Sequence, residues 1–317
     1  MKEYDIISVG SAVVDAFIST GVEEKNGEIA FPVGTKILVN GLFFSIGGGG
    51  MNTSASFSKL GLKTGYLGKI GDDYNSILVL KELKKNKVDF LGVKSGENNG
   101  YSIILEGNKG NRTVLTYKGS SDHLKSNEIK INNLKTKWFH FTSQKKDSLE
   151  TQKKIVDYAL ASGIKISFNP SSYQVKEGLK NIKKIVENSE ILSMNKEEAE
   201  VLIGKNAHVK LHNLGVKIVI ITDGENMGMV YDGSYLYKYW PDKIKVKEVT
   251  GAGDAFSAGF ITGYIKTKNI ETAIKIGLAN SQSVITKLGA SEGILTWNEA
   301  QKIIKTGKFK IIKGVVK

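Results

Sequence analysis

The chain has 317 residues, 40% of them apolar, with 35 glycines, three prolines and no cysteine; this suits one large core, or a large core with an appendage, and excludes a disulfide framework, thiolate chemistry and Cys-ligated metal. The 45 basic and 32 acidic side chains leave a net charge of +13, but the lysines are scattered, Arg112 is the only arginine, and no RNA-binding aromatic signature appears, so the charge reads as a lysine-rich solvated surface and no nucleic-acid partner is expected. Met1 to Asp5 hold no apolar signal core, and no run approaches the ~20 apolar residues of a membrane span, so the chain is expected in the cytoplasm with no membrane partner.

The first element is the apolar run Tyr4 to Val9, a buried strand that ends in a turn at Gly10-Ser11. From about Ala12 to Ser45, short apolar runs (Val13-Val14, Ile29 to Val33, Ile37 to Val39) are broken by Gly21, Gly27, Gly34 and Gly41, which predicts hairpins. Gly47 to Gly50 lead into a helix over Met51 to Leu60, with Gly61 as its stop. A strand near Lys63 to Leu67 and a helix near Tyr74 to Asn86 follow. A second hairpin-like stretch runs through Tyr101 to Leu105 and Arg112 to Tyr117. Beyond Trp138 the pattern alternates. Strands are expected at Trp138 to Phe141, Ile164 to Phe168, Ile191 to Met194 and Val216 to Thr222. The helices between them are Leu149 to Ala161, Val175 to Glu187 and Glu197 to Ile203. Two long helices close the chain near Ala252 to Lys266 and Ile270 to Lys287. Such alternation implies a doubly wound α/β fold with a mostly parallel sheet and helices on both faces. The two β segments, approximately residues 12-45 and 95-120, would be insertions in a single domain over 1-317 and would pair into a small sheet above the site.

Four motifs could carry chemistry. Thr250-Gly251-Ala252-Gly253-Asp254 sets small residues before a helix; their amides and the helix N-terminus suit an anion, and Asp254 beside them could take a proton. The same pattern also fits a capped tight turn. Asn195 and Glu198 follow the strand Ile191 to Met194 and can share a face of a helix's first turn. They read either as oxygen ligands for Mg2+ or as a capping box. Thr222-Asp223-Gly224, after another strand, fits a nucleotide phosphate or a plain turn. Gly47 to Gly50 followed by Asn52 could hold a polyol but do not make a dinucleotide fingerprint. Asp15 is an acid among apolar residues, either a hydroxyl binder or a solvated turn residue. The four histidines show no metal spacing.

In this order the motifs resemble the ribokinase-like (PfkB) family of carbohydrate and nucleoside kinases over nearly the whole chain. The matching residues are Gly47-Gly48 through Asn52, Leu60-Gly61, Gly68-Lys69-Ile70-Gly71-Asp72-Asp73, Asn195 with Glu198, Thr222 with Gly224, Gly251-Ala252-Gly253-Asp254 with Gly259, and Gly289-Ala290. The resemblance implies an ATP-dependent sugar kinase with Asp254 as catalytic base and the amides of Gly251, Ala252 and Gly253 as anion hole. Asn195 and Glu198 would position Mg2+ largely through water. Thr222, Gly224 and Asn280 would line the nucleotide site, and Asp15, Gly48 and Asn52 would hold the acceptor. The β insertions would form the family's lid, through which relatives often form homodimers. Many members carry Asp-Thr-Thr before the Gly-Ala-Gly-Asp turn, part of a site for a monovalent cation such as K+. Glu248-Val249-Thr250 departs from that pattern. Within the resemblance, a nucleoside kinase of the adenosine type is the alternative, with Phe17, Phe31, Phe43, Phe44 and Tyr101 available for a base slot. Arg112 reads as an exposed strand residue or as a contact for an anionic acceptor. A non-catalytic nucleotide-binding or regulatory member is the rival of another class.

Overall fold

The computed structural model describes residues 2–315. In chain order the elements are β1 (Ile6–Val9), β2 (Val13–Ser19), the short pair β3 (Glu24–Lys25) and β4 (Glu28–Ile29), β5 (Gly41–Gly47), α1 (Gly49–Lys59), β6 (Thr64–Leu67), β7 (Lys69–Ile70), α2 (Tyr74–Lys85), β8 (Asp89–Phe90), β9 (Val93–Lys94), β10 (Gly100–Glu106) and β11 (Arg112–Tyr117). The second half contains β12 (Trp138–Thr142), α3 (Lys146–Ala161), β13 (Lys165–Asn169), α4 (Ser172–Lys176), α5 (Leu179–Glu187), β14 (Ile191–Asn195), α6 (Lys196–Ile203), α7 (Ala207–Asn213), β15 (Ile218–Thr222), β16 (Gly228–Tyr231), β17 (Tyr235–Trp240), α8 (Ala252–Thr267), α9 (Ile270–Ile285), α10 (Trp297–Thr306) and β18 (Lys310–Val315).

Ten strands form one sheet in the order β18-β17-β16-β15-β14-β13-β12-β1-β6-β8. From β15 to β8 neighbours run parallel, and the remaining three strands add antiparallel. Parallel strands covered on both faces read as nearly continuous apolar runs; all four residues of β1 are buried, Ser8 with its hydroxyl bonded to the Gly50 carbonyl. The period of two then sorts each strand into two cores. Ile7, Phe139, Phe141, Val219 and Ile221 pack with Leu149, Ile155 and Val156 of α3 and Ile182 and Ile185 of α5. Ile6, Trp138, Ile191, Ile218 and Ile220 pack with Phe256, Phe260 and Ile261 of α8 and Ala273 and Ile274 of α9. The expected doubly wound α/β core is present.

Three departures have physical causes. The single helix expected over Val175 to Glu187 is two, because Gly178 adopts φ 90° at the start of α5, a conformation that a continuing helix cannot include. The apolar runs Ile29 to Val33 and Ile37 to Val39 mostly lie outside strands, and Val33 and Leu38 are almost fully exposed. The strands β16, β17 and β18 and the helices α7 and α10 extend the core beyond what the apolar pattern marked. In β18, lysines replace apolar residues on an exposed edge: Lys313 Nζ lies 3.7 Å from the Tyr235 ring centroid and Lys310 Nζ 4.3 Å from that of Trp240, contacts that let a charged strand adhere to an aromatic one.

A second sheet has the order β11-β10-β2-β5. β10 and β2 are parallel, while β2–β5 and β10–β11 are antiparallel. The register pairs Asp15 with Ser45 and Ser102, Phe17 with Phe43 and Ile104, and Glu106 with Arg112. These side chains therefore share one face.

Candidate functional site

The inner face of the small sheet, the glycine-rich start of α1 and the start of α8 converge. β2 places Asp15 at the inner end of its face, where the residue is only 6% exposed. Burial pushes its carboxyl up to about 6; a hydrogen bond from Ser102 and the Lys118 charge oppose the shift, while the Glu248 charge adds to it. Gly48 is the N-cap of α1, and one turn later Asn52 points at α8. Asn52 Nδ2 donates to Asp254 Oδ2 at 2.9 Å, whereas its buried Oδ1 has no partner within the described residues.

Gly251 is the N-cap of α8 with φ 84°. A Cβ there would lie 2.6 Å from the Ala290 carbonyl oxygen, so both the backbone conformation and the packing against Gly289-Ala290 require glycine. A Cβ on Gly253 would meet nothing within 4 Å; its backbone faces open space at a helix N-terminus, where anions are favoured. The Ala252 amide, in contrast, donates to the Val249 carbonyl at 3.2 Å, which closes the turn and engages one of the three amides proposed for the anion hole. Asp254 sits in the first turn of α8 with partial solvent access. Burial of its carboxylate pushes the pKa from 3.8 to about 6, against the Asn52 hydrogen bond. The carboxylate is thus poised near neutrality beside an anion-attracting turn.

At the ends of β14 and β15, Asn195 and Thr222 are register neighbours. Asn195 caps α6: its side chain accepts from the Glu198 amide at 2.8 Å, and Glu198 Oε2 accepts from the Asn195 amide at 3.1 Å. The capping-box reading therefore holds structurally. Glu198 is half-buried; burial raises its carboxyl against hydrogen bonds from the Asn195 and Ser172 amides, and the charges of Glu197 and Asp254 add to the shift. Lys196 is paired with Asp223 at 3.3 Å. Thr222 is half-buried, its hydroxyl 3.5 Å from the Met194 carbonyl, and Gly224 turns the chain beyond it at φ 56°. Asn280 is placed differently from the expectation that it lines the nucleotide site. It is 0% exposed; Nδ2 donates to Ser56 Oγ and the Ala255 carbonyl, and Oδ1 accepts from the Leu295 amide. It braces α9 against α1 and α8 from within.

A cavity of about 340 Å3 opens between the small sheet and the loops before α8 and after α9. Phe17, Phe43 and Ile104 line it, as do Arg112, Lys247 and Glu248. Of the aromatics considered for a base slot, only Phe17 and Phe43 enter it, with ring centroids 6.0 Å apart. Strand parity sends Phe44 and Tyr101 to the other face, and Phe31 is in an exposed loop.

Of the two readings of Arg112, an exposed strand residue or a contact for an anionic acceptor, the first does not hold: the side chain is only 28% exposed. Its guanidinium is paired with Glu248, which is 4% exposed. Burial alone would raise the Glu248 carboxyl, but hydrogen bonds from Thr250 and Arg112 hold it below the ordinary range. The signal in the sequence was the lone arginine of a lysine-rich chain. Lys118 and Lys145 were missed altogether. Their ammonium groups lie 5.4 and 5.6 Å from the Tyr173 ring centroid, and burial lowers the Lys118 pKa, against Asp122 and Asp15. Scattered lysines offered no pattern that would single them out.

The sequence profile of the pfkB family carbohydrate kinases matches residues 5–297. A protein of Archaeoglobus fulgidus described as an uncharacterized sugar kinase is 32% identical over 247 residues, which is 75% of this chain and 97% of the relative. The cytidine kinase of Thermococcus kodakarensis is 27% identical over 90% of this chain and 97% of its own. In three dimensions the ribokinase of Arabidopsis thaliana complexed with ribose and ATP superposes with a TM-score of 0.81 at 19% identity, covering 96% of this chain and all of that one.

Proposed function

Since the chain belongs to the pfkB family of carbohydrate kinases, and is therefore a carbohydrate or nucleoside kinase, we propose that it transfers the γ-phosphoryl group of ATP to a hydroxyl of a sugar, with Asp254 as the base. The observation that carries this reading is the Asn52–Asp254 contact at the open N-terminal turn of α8. The acceptor would lie between Asp15, Gly48 and Asn52, whose free Oδ1 can take a hydroxyl hydrogen. Asp254 accepts the proton as the acceptor oxygen attacks the γ-phosphorus. The new P–O bond forms, the bond to the β-phosphate oxygen breaks, and ADP leaves with the electron pair. The turn's amides, chiefly those of Gly251 and Gly253, stabilise the charge of the phosphoryl group in flight. Thr222 and Gly224 lie where two strand ends would meet the nucleotide, while Asn280 braces α9 against α1 and α8.

Among the described residues no group of three or more His, Asp or Glu side chains gathers as a metal cage, so a divalent ion would arrive with the nucleotide. The donors fit that role: Glu198 is a half-buried carboxylate whose pKa is raised by burial, then by the Glu197 and Asp254 charges, and the Asn195 amide oxygen, which accepts from the Glu198 amide, keeps a second lone pair. These two would hold Mg2+ through water. Mg2+ bound with ATP would neutralise phosphate charge.

The small sheet acts as a lid formed by segments 12-45 and 95-120 of one domain, and it keeps water from competing as acceptor. Its outer face exposes Leu42, Phe44, Leu115 and Tyr117; such a patch, with β5 and β11 as edge strands, fits a second copy of the chain. A nucleoside acceptor is the second reading, favoured by the Phe17 and Phe43 rings in the cavity.

Coupled ADP release with ATP and Mg2+ across pentoses, hexoses, sugar acids, phosphosugars and nucleosides tests the proposal, with Asp254→Asn as control. Turnover on a sugar that vanishes in the variant supports it. Turnover on nucleosides alone replaces it with the second reading. A blank panel with ATP still bound moves the weight to a non-catalytic role.

A further inference from the structure

Arg112 is the only arginine of the chain, and it is paired with a buried carboxylate. It starts β11, the outer strand of the small sheet, yet its side chain is only 28% exposed because it crosses to Glu248, 136 positions away in sequence. Glu248 is held rigidly. Its own amide and that of Lys247 donate to the Ile285 carbonyl, at 3.2 and 2.8 Å. One carboxylate oxygen takes Arg112; the other accepts from the Thr250 amide at 2.8 Å and from the Thr250 hydroxyl at 2.7 Å. Thr250 is bonded directly to Gly251, which begins the turn at α8. A continuous path therefore runs from the small sheet through one ion pair and two hydrogen bonds to the backbone that faces the phosphoryl group.

The monovalent cation implied by the resemblance does not fit this arrangement. Both Glu248 oxygens are engaged by donors of the chain itself. The Val249 side chain, 58% exposed, offers no ligand atom. The positive charge that a carboxylate buried to this degree needs is present as the guanidinium.

We infer that Arg112 and Glu248 form a positioning pair that ties the closed small sheet to the anion-binding turn, and that the fixed guanidinium takes the place of a bound monovalent cation. The inference rests on the kinase reading for the role of the turn, but the coupling itself is a property of the fold. Lifting the sheet withdraws Arg112, leaves Glu248 buried without its counter-charge, and loosens Thr250 and the turn after it. The geometry for transfer is then complete only when the cavity is covered.

The test uses the full chain and the variants Arg112→Gln, Arg112→Lys and Glu248→Gln in buffer free of alkali cations. Amide hydrogen exchange needs no turnover, so it judges the coupling even if the acceptor panel is blank. Arg112→Gln and Glu248→Gln are expected to speed exchange across Thr250 to Ala255 and to leave the central sheet unchanged. On an acceptor that turns over, Arg112→Gln should lower kcat about tenfold or more, as expected when one side of a buried charge pair is removed, with KM for ATP unchanged. Arg112→Lys should retain part of the rate, and added guanidinium should restore part of it to Arg112→Gln. The double variant should be no worse than the poorer single one. If Arg112→Gln does not fold, Glu248→Gln, which keeps the side-chain shape, carries both measurements. Three results would overturn the inference: unchanged exchange in both Gln variants, a rise in acceptor KM alone, or wild-type activity that climbs severalfold on adding K+.

Discussion

Asp254 can serve as a base because its surroundings disfavour a charge there. Asn52 donates to one oxygen and the helix N-terminus favours the anion, yet burial prevails and the carboxyl is held at about 6. As the proposed base it must be ionised, so kcat/KM should fall as pH drops below about 6. Asp15 is also raised to about 6, so the acid limb belongs to the pair of groups rather than to one alone. The sign for stability is opposite. The native state keeps a proton that the unfolded chain loses from 3.8 upward, so stability falls as pH rises from about 3.8 to about 6 and is level above. Asp254→Asn should lower kcat by about a hundred- to ten-thousandfold, the usual contribution of a general base. It should also raise the melting temperature at neutral pH and flatten this pH dependence; rate profiles and thermal melts at a series of pH values check both.

At the scale of elements, the site depends on how α8 and α9 are held. Asn280 ties α9 to Ser56 of α1, to Ala255 of α8 and to Leu295 in the chain that leads to α10, all through one fully buried amide. Asn280→Ala would strand the Leu295 amide and remove donors from two acceptors. The expected cost is about 1–3 kcal/mol in urea unfolding, with activity affected through the packing of α8 and KM for ATP unchanged. The same residue shows where sequence reading stops. That an Asn in an apolar helix has a polar duty was visible; which partners it meets depends on three helices brought together by the fold. Likewise Asn195 and Glu198 were legible as a pair three residues apart. Their reciprocal hydrogen bonds show that they cap α6, a role that periodicity could not separate from ligand binding. Strand parity was the stronger guide. It sorted the buried parallel strands, already readable from continuous apolar runs, into two faces, but it could not mark β18, where Lys310 and Lys313, three residues apart, rest on Trp240 and Tyr235 of the neighbouring β17.

At the scale of the molecule, the two sheets divide the work: the large one is buried on both faces, while the small one packs Val14, Ile46 and Tyr101 against α2 on one face and turns Phe17, Phe43 and Ile104 to the cavity on the other. The apolar outer face of the small sheet, with Leu42, Phe44, Leu115 and Tyr117 exposed, should bring two copies together. Sedimentation at micromolar concentration should show a dimer, and Leu115→Glu with Phe44→Glu should give a monomer; a wild-type monomer throughout would refute this surface as a contact. The alternation of strands and helices beyond Trp138 makes the large sheet legible in the sequence. The Arg112–Glu248 pair is not, because it joins the small sheet to the loop before α8 across 136 positions and no local pattern encodes such a meeting.

The order of strands in the large sheet also sets a timetable for synthesis. β1 leaves the ribosome before either of its neighbours, yet it lies deep in the sheet between β6 and β12, so Ile6, Ile7 and Val9 wait for a first partner until Thr64–Leu67 have emerged and for the second until Trp138–Thr142 have. The helices α8 and α9 that cover its other face come later still. A nascent chain of this protein therefore carries an uncovered apolar centre for most of its translation, the interval in which nascent-chain chaperones hold most influence over yield.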